Sequence, residues 1–312
     1  MNTISLALDV VLPLLMLMLV GTISRKARII NDEVVKNLNK LIFTVLLPTL
    51  MFVNVYKTDI RQVFNLKLIL FTVLITLIVF IISLKLVPIF EKENRRRGSM
   101  VQAMVRGNGA YFGIPITVAL IGESYAGLMA LVVAFASILY NLSSVIAFET
   151  FRGEKIDYLR IIKSVIKNPM IIGTVSGITF VIFNISIPSL IWKTMEDISS
   201  ITTPLALITL GGSFVFTYAA KYKRELAIGV LIKLILIPAL VLPLAIMLGF
   251  KNYEICCLFS LFTAPTAVAT FAVAQQMEGD EVLAGQFVVF SSLVSIATIF
   301  IWIIILGPYM LI

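Results

Sequence analysis

The chain has 312 residues, of which 60% are hydrophobic and 13% are charged, and its formal net charge is +8. Soluble domains are only about 45–50% apolar, so this composition excludes a soluble globular protein and indicates a polytopic membrane protein. The chain has no histidine, which removes the commonest metal ligand and the commonest general base of enzymes. Cys256 and Cys257 are adjacent in an apolar run and are interpreted as small core residues.

Apolar runs of about 20 residues, the length that crosses a bilayer, recur along the whole chain. They predict an all-α polytopic fold of ten transmembrane helices, at residues 6–24, 34–56, 66–90, 100–122, 124–150, 170–184, 188–218, 226–249, 254–277 and 282–308. The sixth run is short and could begin earlier, in the amphipathic sequence LRIIKSVIKNP. The N-terminus lacks the basic region and cleavage site of a signal peptide, so the first helix is expected to be retained.

Lysine and arginine are concentrated in the connections that follow spans one, three, five and seven. Because basic loops favour the cytoplasmic side, we expect a multi-pass protein of the plasma membrane with both termini outside. The same loops account for the positive net charge, so the bilayer is an expected partner and nucleic acid is not. The longest connection, residues 152–169, is predicted to be a cytoplasmic connector and a candidate amphipathic helix.

Each half of the chain holds five predicted spans, so the second half enters the membrane from the opposite side, the condition for an inverted repeat. Prolines recur in corresponding spans of the two halves, at Pro48 and Pro204 and at Pro115 and Pro265. We therefore predict two inverted five-helix repeats, residues 1–151 and 170–312.

The sequence RGNGAYFGIPI places helix breakers near the middle of span four. Each of its three glycines lowers helix propensity by about 1 kcal/mol, and Pro115 lowers it by about 3 kcal/mol. Span nine carries Pro265 in the sequence FTAPT. We expect both helices to unwind at these points and new half-helices to begin at Ile116 and Thr266, each with free N–H groups at its start.

Two half-helix N-termini that meet in the membrane favour an anion, since each carries about half a positive charge. They predict an anion site without any basic side chain, to which Asn108 adds an amide. An alternative is close helix packing, which the spacing Gly109-x-x-x-Gly113 also fits. The sequence GGSF at Gly211 is interpreted as helix packing.

The sequences RGNGAYFGIPITVALIGE, TTPLALITLGGSF and FTAPTAVATFAVAQQ resemble those of the auxin efflux carrier family of membrane transporters. This resemblance extends over essentially the whole chain. It implies a secondary transporter, not an enzyme, that moves small organic carboxylate anions such as malate, malonate, lactate or auxin-like acids. It further implies crossover helices four and nine, elevator-type alternating access, a scaffold of spans one, two, six and seven, and a homodimer formed through spans two and seven.

The predicted substrate site combines the two breaks with neighbouring polar residues. Its members are Gly107, Asn108, Gly109, Tyr111, Gly113, Pro115, Asn141, Thr263, Pro265 and Thr266. On the family pattern, Asn108 matches the crossover asparagine, and Pro115 and Pro265 match the crossover prolines. Asn141 suits a contact between helices equally well. No cofactor and no metal are expected, and the coupling ion, H⁺ or Na⁺, is left open.

Other polar residues receive structural interpretations. Glu196 and Asp197 are expected at the outer interface, with Lys193 as their partner. Lys85 and Lys233 are expected to extend toward the cytoplasmic interface. Either an exit path or an interfacial position suits the three glutamines Gln275, Gln276 and Gln286.

Two other functions fit the sequence less well. A sodium- or proton-coupled transporter of a non-anionic solute would need carboxylates near the middle of the membrane, and the sequence places none there. An intramembrane enzyme would need a catalytic dyad at depth, and the sequence carries no such motif. A Walker-type nucleotide motif is also absent from the sequence.

Overall fold

The computed structural model describes residues 3–57, 65–153, 158–213 and 220–310. These residues are mostly helical, and within them the structure has no β-strand beyond one isolated bridge. The predicted end of span seven, at 214–218, and residues 154–157 of the predicted connector lie outside the described residues.

The helices follow one another with short connections. The first half of the chain forms α1 (Thr3–Lys26), α2 (Asp32–Leu41), α3 (Leu47–Tyr56), α4 (Leu66–Phe90), α5 (Asn94–Val105), α6 (Ile114–Ile121) and α7 (Ala126–Phe151). The second half forms α8 (Tyr158–Lys167), α9 (Pro169–Ile182), α10 (Ser189–Ser213), α11 (Lys223–Leu231), α12 (Ile237–Met247), α13 (Tyr253–Phe262), α14 (Ala269–Gln276) and α15 (Glu281–Leu306). Short π-helical stretches lie at Ile42–Leu46, Gly109–Gly113 and Ile232–Leu236.

Several of these helical stretches have the length and composition of membrane spans. Among the described residues, five are long and apolar enough to cross a bilayer, at residues 32–56, 66–90, 127–151, 223–247 and 281–309. Shorter apolar helices occupy residues 109–121, 169–182 and 253–262. The fold is therefore that of an all-helical polytopic membrane protein, and the predicted spans lie close to the observed helical segments.

Residues 158–167, within the predicted connector, form a separate helix, α8. Helix α8 exposes Leu159, Ile162 and Ile166. It ends at Lys167, and the Asn168 side chain accepts a hydrogen bond from the Met170 N–H at 2.9 Å. Because this asparagine caps α9, the sixth apolar helix does not begin within α8.

The closest helix contacts join α1 to α10 and α3 to α9. A Cβ atom on Gly211 would stand 1.9 Å from the Met18 carbonyl oxygen, and one on Gly173 would stand 2.3 Å from the Pro48 carbonyl oxygen. Glycine is required at both positions because the facing atoms belong to the backbone of the neighbouring helix and cannot rotate away from a side chain. The prediction that Gly211 serves helix packing is confirmed.

A second group of contacts surrounds the two helix breaks. Helix α5 packs against α4, α7 and α15, whereas α13 packs against α6 and α12. The two groups meet where α1 contacts α15 and where α3 contacts α7. The breaks of spans four and nine therefore lie inside the bundle.

Arg96 links the connection after α4 to the beginnings of α11 and α15. Its guanidinium lies within 4.0 Å of the carboxylates of Glu91, Glu93, Glu225 and Asp280. Tyr222 donates to the Asp280 carboxylate at 3.0 Å and lies 5.1 Å from the Arg96 guanidinium. Burial and the Asp280 carboxylate raise the pKa of Tyr222 above its ordinary value, so its hydroxyl stays protonated as a donor.

The partner predicted for Glu196 and the location predicted for Lys233 are both wrong. Glu196 pairs with Lys57 at 2.7 Å and not with Lys193, because the fold brings the end of α3 beside α10. Lys233 does not extend to an interface: it is 2% exposed and lies within the bundle. Lys85 is exposed, as expected.

The glutamines of the last two spans lie mostly inside helix contacts. Gln275 accepts a hydrogen bond from the Asn39 amide at 2.5 Å, which joins α14 to α2. Gln286 is 1% exposed. Gln276 is partly buried at the end of α14. Gln286 and Gln275 line a second cavity of about 240 Å³, so an exit path stays a prediction for them, whereas an interfacial position does not describe the buried Gln286.

Candidate functional site

The first break separates α5 from α6. Helix α5 ends at Val105, residues 106–108 leave the helix, and the chain resumes as the π-helical turn Gly109–Gly113 before α6. The predicted restart at Ile116 is therefore wrong. Pro115 lies in the first turn of α6, where a missing N–H breaks no helical hydrogen bond, so the proline starts this helix and does not interrupt it.

The second break separates α13 from α14 and is the longer one. It runs from Thr263 to Val268, so the predicted restart at Thr266 is also wrong. The Thr266 N–H donates to the Ser291 hydroxyl at 3.0 Å, and the Thr266 hydroxyl donates to the Ala103 carbonyl at 3.0 Å. These bonds replace helical ones, which makes the unwound backbone tolerable inside the bundle.

The two breaks are bonded to each other. The Asn108 N–H donates to the Pro265 carbonyl at 2.8 Å, and the Ala267 N–H donates to the Arg106 carbonyl at 3.1 Å. Together these bonds form an antiparallel bridge between Gly107 and Thr266. Spans four and nine therefore meet at their unwound segments, as predicted from their glycines and prolines.

A cavity of about 60 Å³ lies beside this bridge. Its wall combines residues 106–111, which include the first break, residues 267–269, at the end of the second break, and residues of α3, α7 and α10. The chain restarts as a helix at Gly109 and Ala269, so both helix N-termini border the cavity. The first N–H groups of a helix have no intrahelical acceptor, which gives this wall a positive potential.

Four of the ten predicted site residues line the cavity, namely Gly107, Asn108, Gly109 and Tyr111. Asn108 is buried, and the Tyr111 hydroxyl interacts with the Thr203 side chain of α10. Tyr111 thus joins the first break to the opposite wall.

The other six predicted residues lie outside the cavity wall: Gly113, Pro115, Asn141, Thr263, Pro265 and Thr266. A Cβ on Gly113 would stand 2.6 Å from the end of the Met129 side chain, so this glycine serves packing. The Asn141 amide donates to the Thr174 hydroxyl of α9 at 3.3 Å, which fits the helix-contact alternative. The Thr263 hydroxyl bonds the Phe259 carbonyl in its own helix, and Pro265 contributes its carbonyl to the bridge.

The cavity has a basic side chain that the sequence reasoning missed. Arg106 borders it and is 4% exposed. Its Nη1 atom has no hydrogen-bond partner among the described residues, and no described carboxylate lies within 4.0 Å of its guanidinium. The available signal was an arginine inside an apolar span, which is a functional candidate by default.

Tyr140 of α7 is a second missed residue. It lines the cavity, is 3% exposed, and its hydroxyl lies 3.6 Å from the point that a Cβ on Gly107 would occupy. The cavity wall contains no aspartate or glutamate among the described residues. No cluster of described His, Cys, Asp and Glu residues could hold a metal ion. The chemistry of this wall therefore suits an anion.

Comparison with known proteins identifies the family. A family described as membrane transport protein matches residues 6–303 of the chain. The chain belongs to this family. The resemblance to auxin efflux carriers drawn from the three sequence motifs is thereby confirmed.

Similar members of the membrane transport protein family come from archaea and bacteria. An uncharacterized transporter of Methanocaldococcus jannaschii is 27% identical, with 95% of this chain and 97% of the relative covered. An uncharacterized transporter of Methanothermobacter thermautotrophicus is 23% identical, with 96% and 98% covered. A Rhizobium meliloti protein named "Putative malonate transporter" is 24% identical, with 93% and 92% covered. The protein is a membrane transporter of this family.

Proposed function

We propose that this transporter is a secondary carrier of small organic carboxylate anions, which it binds in the cavity beside the two breaks. The observation that carries the proposal is Arg106, a buried guanidinium without a carboxylate partner among the described residues. An unpaired charge inside a protein is costly, so such a site gains stability from a bound counter-ion. A substrate carboxylate is the counter-ion that this wall can accept.

The rest of the wall supports the same substrate class. The helix N-termini at Gly109 and Ala269 add positive potential, and Asn108 adds a side-chain amide at the cavity. The relative named for malonate suggests a small dicarboxylate within this class. A carrier of a non-anionic solute coupled to sodium or protons has less support, because carboxylates are missing from the described part of the wall.

Alternating access of the elevator type is part of the proposal. The cavity of about 60 Å³ is far smaller than the ~300–1,000 Å³ of ordinary ligand sites. One wall belongs to α3 and α10, which pack with α1 and α9, and the other belongs to the two bonded breaks. We propose that these two groups of helices move relative to each other to open the cavity.

The proposed membrane arrangement is the one expected from the sequence. It has ten transmembrane helices in two inverted repeats, residues 1–151 and 170–312, with both termini outside the plasma membrane. A homodimer would form through the scaffold helices of spans two and seven. The tight packing of α3 on α9 and of α1 on α10 supports a rigid scaffold.

Flux and binding measurements test the proposal. Purified protein in proteoliposomes should move labelled malonate, malate, lactate or indole acids, and the Arg106→Gln variant should bind them about tenfold or more weakly, as expected for loss of a hydrogen bond to a charged group. Arg106→Lys should retain part of the affinity. The exposed Arg28 supplies the control, and Arg28→Gln should behave as wild type. If no organic anion binds or moves, or if Arg106→Gln binds normally, the proposal is wrong.

A further inference from the structure

Lys233 lies directly behind the first break. It belongs to the π-helical stretch Ile232–Leu236, in the middle of the helical segment 223–247, and it is 2% exposed. Its Nζ atom lies 3.1 Å from the point that a Cβ on Gly107 would occupy. The Leu261 carbonyl oxygen lies at the same distance from that point, and the Tyr140 hydroxyl lies at 3.6 Å. The ammonium group therefore lies beside Gly107 in the first break, close to the end of α13.

The helix ends near Lys233 carry a potential opposite in sign to that of the helix ends at the cavity. Helices α5 and α13 both end at the breaks, at Val105 and Phe262, and Leu261 is in the last turn of α13. The last carbonyls of a helix lack intrahelical donors and carry the negative end of its dipole. Lys233 is not part of the cavity wall. The N-terminal helix ends thus border the cavity, while this ammonium lies at the C-terminal ends.

No described carboxylate lies within 4.0 Å of Lys233. The Leu261 carbonyl oxygen and the Tyr140 hydroxyl, which are neutral oxygen groups, lie beside the same Gly107 position as its Nζ. In carriers with broken helices, unwound carbonyls and helix C-terminal ends are the groups that bind a coupling sodium ion. A lysine ammonium is a compact cation with three donors, so it can satisfy the same oxygens.

We propose that the Lys233 ammonium is a built-in cation that occupies the place of a coupling metal ion, so that the transporter binds its anion without sodium. Only the statement that the anion binds without sodium rests on the proposed function. The cation position itself is independent of what the cavity binds. Removal of the side chain should open a site at the helix C-terminal ends for a small external cation.

The test compares thermal unfolding of the purified transporter in choline, sodium and ethylammonium buffers of equal ionic strength, first without any anion. The wild-type midpoint should be the same in sodium and choline. Lys233→Ala should unfold at lower temperature in choline and should recover part of the loss in sodium or ethylammonium. Lys233→Arg should resemble the wild type, and Lys85→Ala, which removes an exposed lysine, should show neither effect.

Malonate binding in the same buffers forms the second part of the test. Lys233→Ala should bind malonate about tenfold or more weakly in choline, with partial recovery in ethylammonium. A wild-type protein stabilised by sodium, or a Lys233→Ala variant that is normal in choline, would overturn the inference. If neither Lys233→Ala nor Lys233→Met can be purified, the comparison of wild-type thermal unfolding in sodium and in choline decides the inference. A cation response without any anion binding would uphold the cation position and refute the proposed function.

Discussion

The backbone N–H of Asn108 donates to the Pro265 carbonyl across 2.8 Å, so the residue expected to recognise the substrate is also one that joins the two broken helices. Asn108 borders the cavity, and its backbone holds the bridge. The two roles belong to different atoms, and substitution of the side chain leaves the backbone bond available. Asn108 can therefore be tested without removal of the bridge.

Asn108→Ala should weaken anion binding and leave the thermal stability nearly unchanged. A hydrogen bond to a charged group contributes about 1.5–3 kcal/mol, which corresponds to roughly a 10- to 100-fold loss of affinity. Titration calorimetry on purified protein measures this change. Asn141→Ala is the matched control, because that buried amide contacts Thr174 on α9: it should lower the stability and keep the affinity. Unchanged affinity in Asn108→Ala would remove Asn108 from the site.

Ser291→Ala should destabilise the second break. The Ser291 hydroxyl accepts the Thr266 N–H at 3.0 Å, and a buried donor left without an acceptor costs about 1–3 kcal/mol. The thermal midpoint in detergent should fall. On the same helix, the Ser295 hydroxyl bonds only the Ser292 carbonyl among the contacts described, so Ser295→Ala should have a smaller effect. Equal midpoints for the two variants would contradict the role given to Ser291.

Gly211→Ala should disrupt the contact between α1 and α10. The new Cβ would stand 1.9 Å from the Met18 carbonyl oxygen, so the two backbones would have to separate. Overpacking of this kind costs about 1–3 kcal/mol, and the yield of folded protein on size-exclusion chromatography should fall. Gly307→Ala meets no atom within 4 Å and should fold normally. A Gly211→Ala protein as stable as wild type would show that the helices can move apart cheaply.

Arg96→Gln should destabilise the protein more at low salt than at high salt. The substitution leaves four carboxylates close together without their shared cation. Their repulsion is screened over about 3 Å at 1 M salt, compared with about 10 Å at 0.1 M. Thermal midpoints across a salt series measure the difference. Arg25 pairs at 2.6 Å with Asp32, whose side chain is 94% exposed, so Arg25→Gln should change little. A salt-independent loss in Arg96→Gln would point to packing instead.

The sequence was a good guide to the membrane spans and to the breaks. Length and apolarity predicted helical segments close to the observed ones, five of which are long and apolar enough to cross a bilayer among the described residues, and Gly107, Gly109 and Pro265 marked the two helices that unwind. The exact restarts were not predictable from prolines alone, because Pro115 is tolerated in the first turn of α6 and Thr266 is held by Ser291. Helix propensity depends on neighbouring residues and does not predict a partner as distant in the sequence as Ser291 is from Thr266.

The two buried cations were missed for different physical reasons. Lys233 was expected to reach an interface because long side chains usually do so, but the fold places its helix behind Gly107. Arg106 is not singled out by the sequence because the glycines and the proline around it indicate a backbone feature and not a charged site. A buried charge has or lacks a partner because of contacts between spans that are far apart in the sequence. Those contacts cannot be predicted from the sequence alone.

The antiparallel bridge also sets an order for the biogenesis of the chain. When synthesis has reached residue 151, the Asn108 N–H and the Arg106 carbonyl have no bridge partners, since these are the Pro265 carbonyl and the Ala267 N–H. Unpaired backbone groups cost several kcal/mol each in hydrocarbon. The first half of the protein therefore cannot finish its own broken helix while it is alone. Its fourth span reaches the final conformation only after most of the second half has left the ribosome.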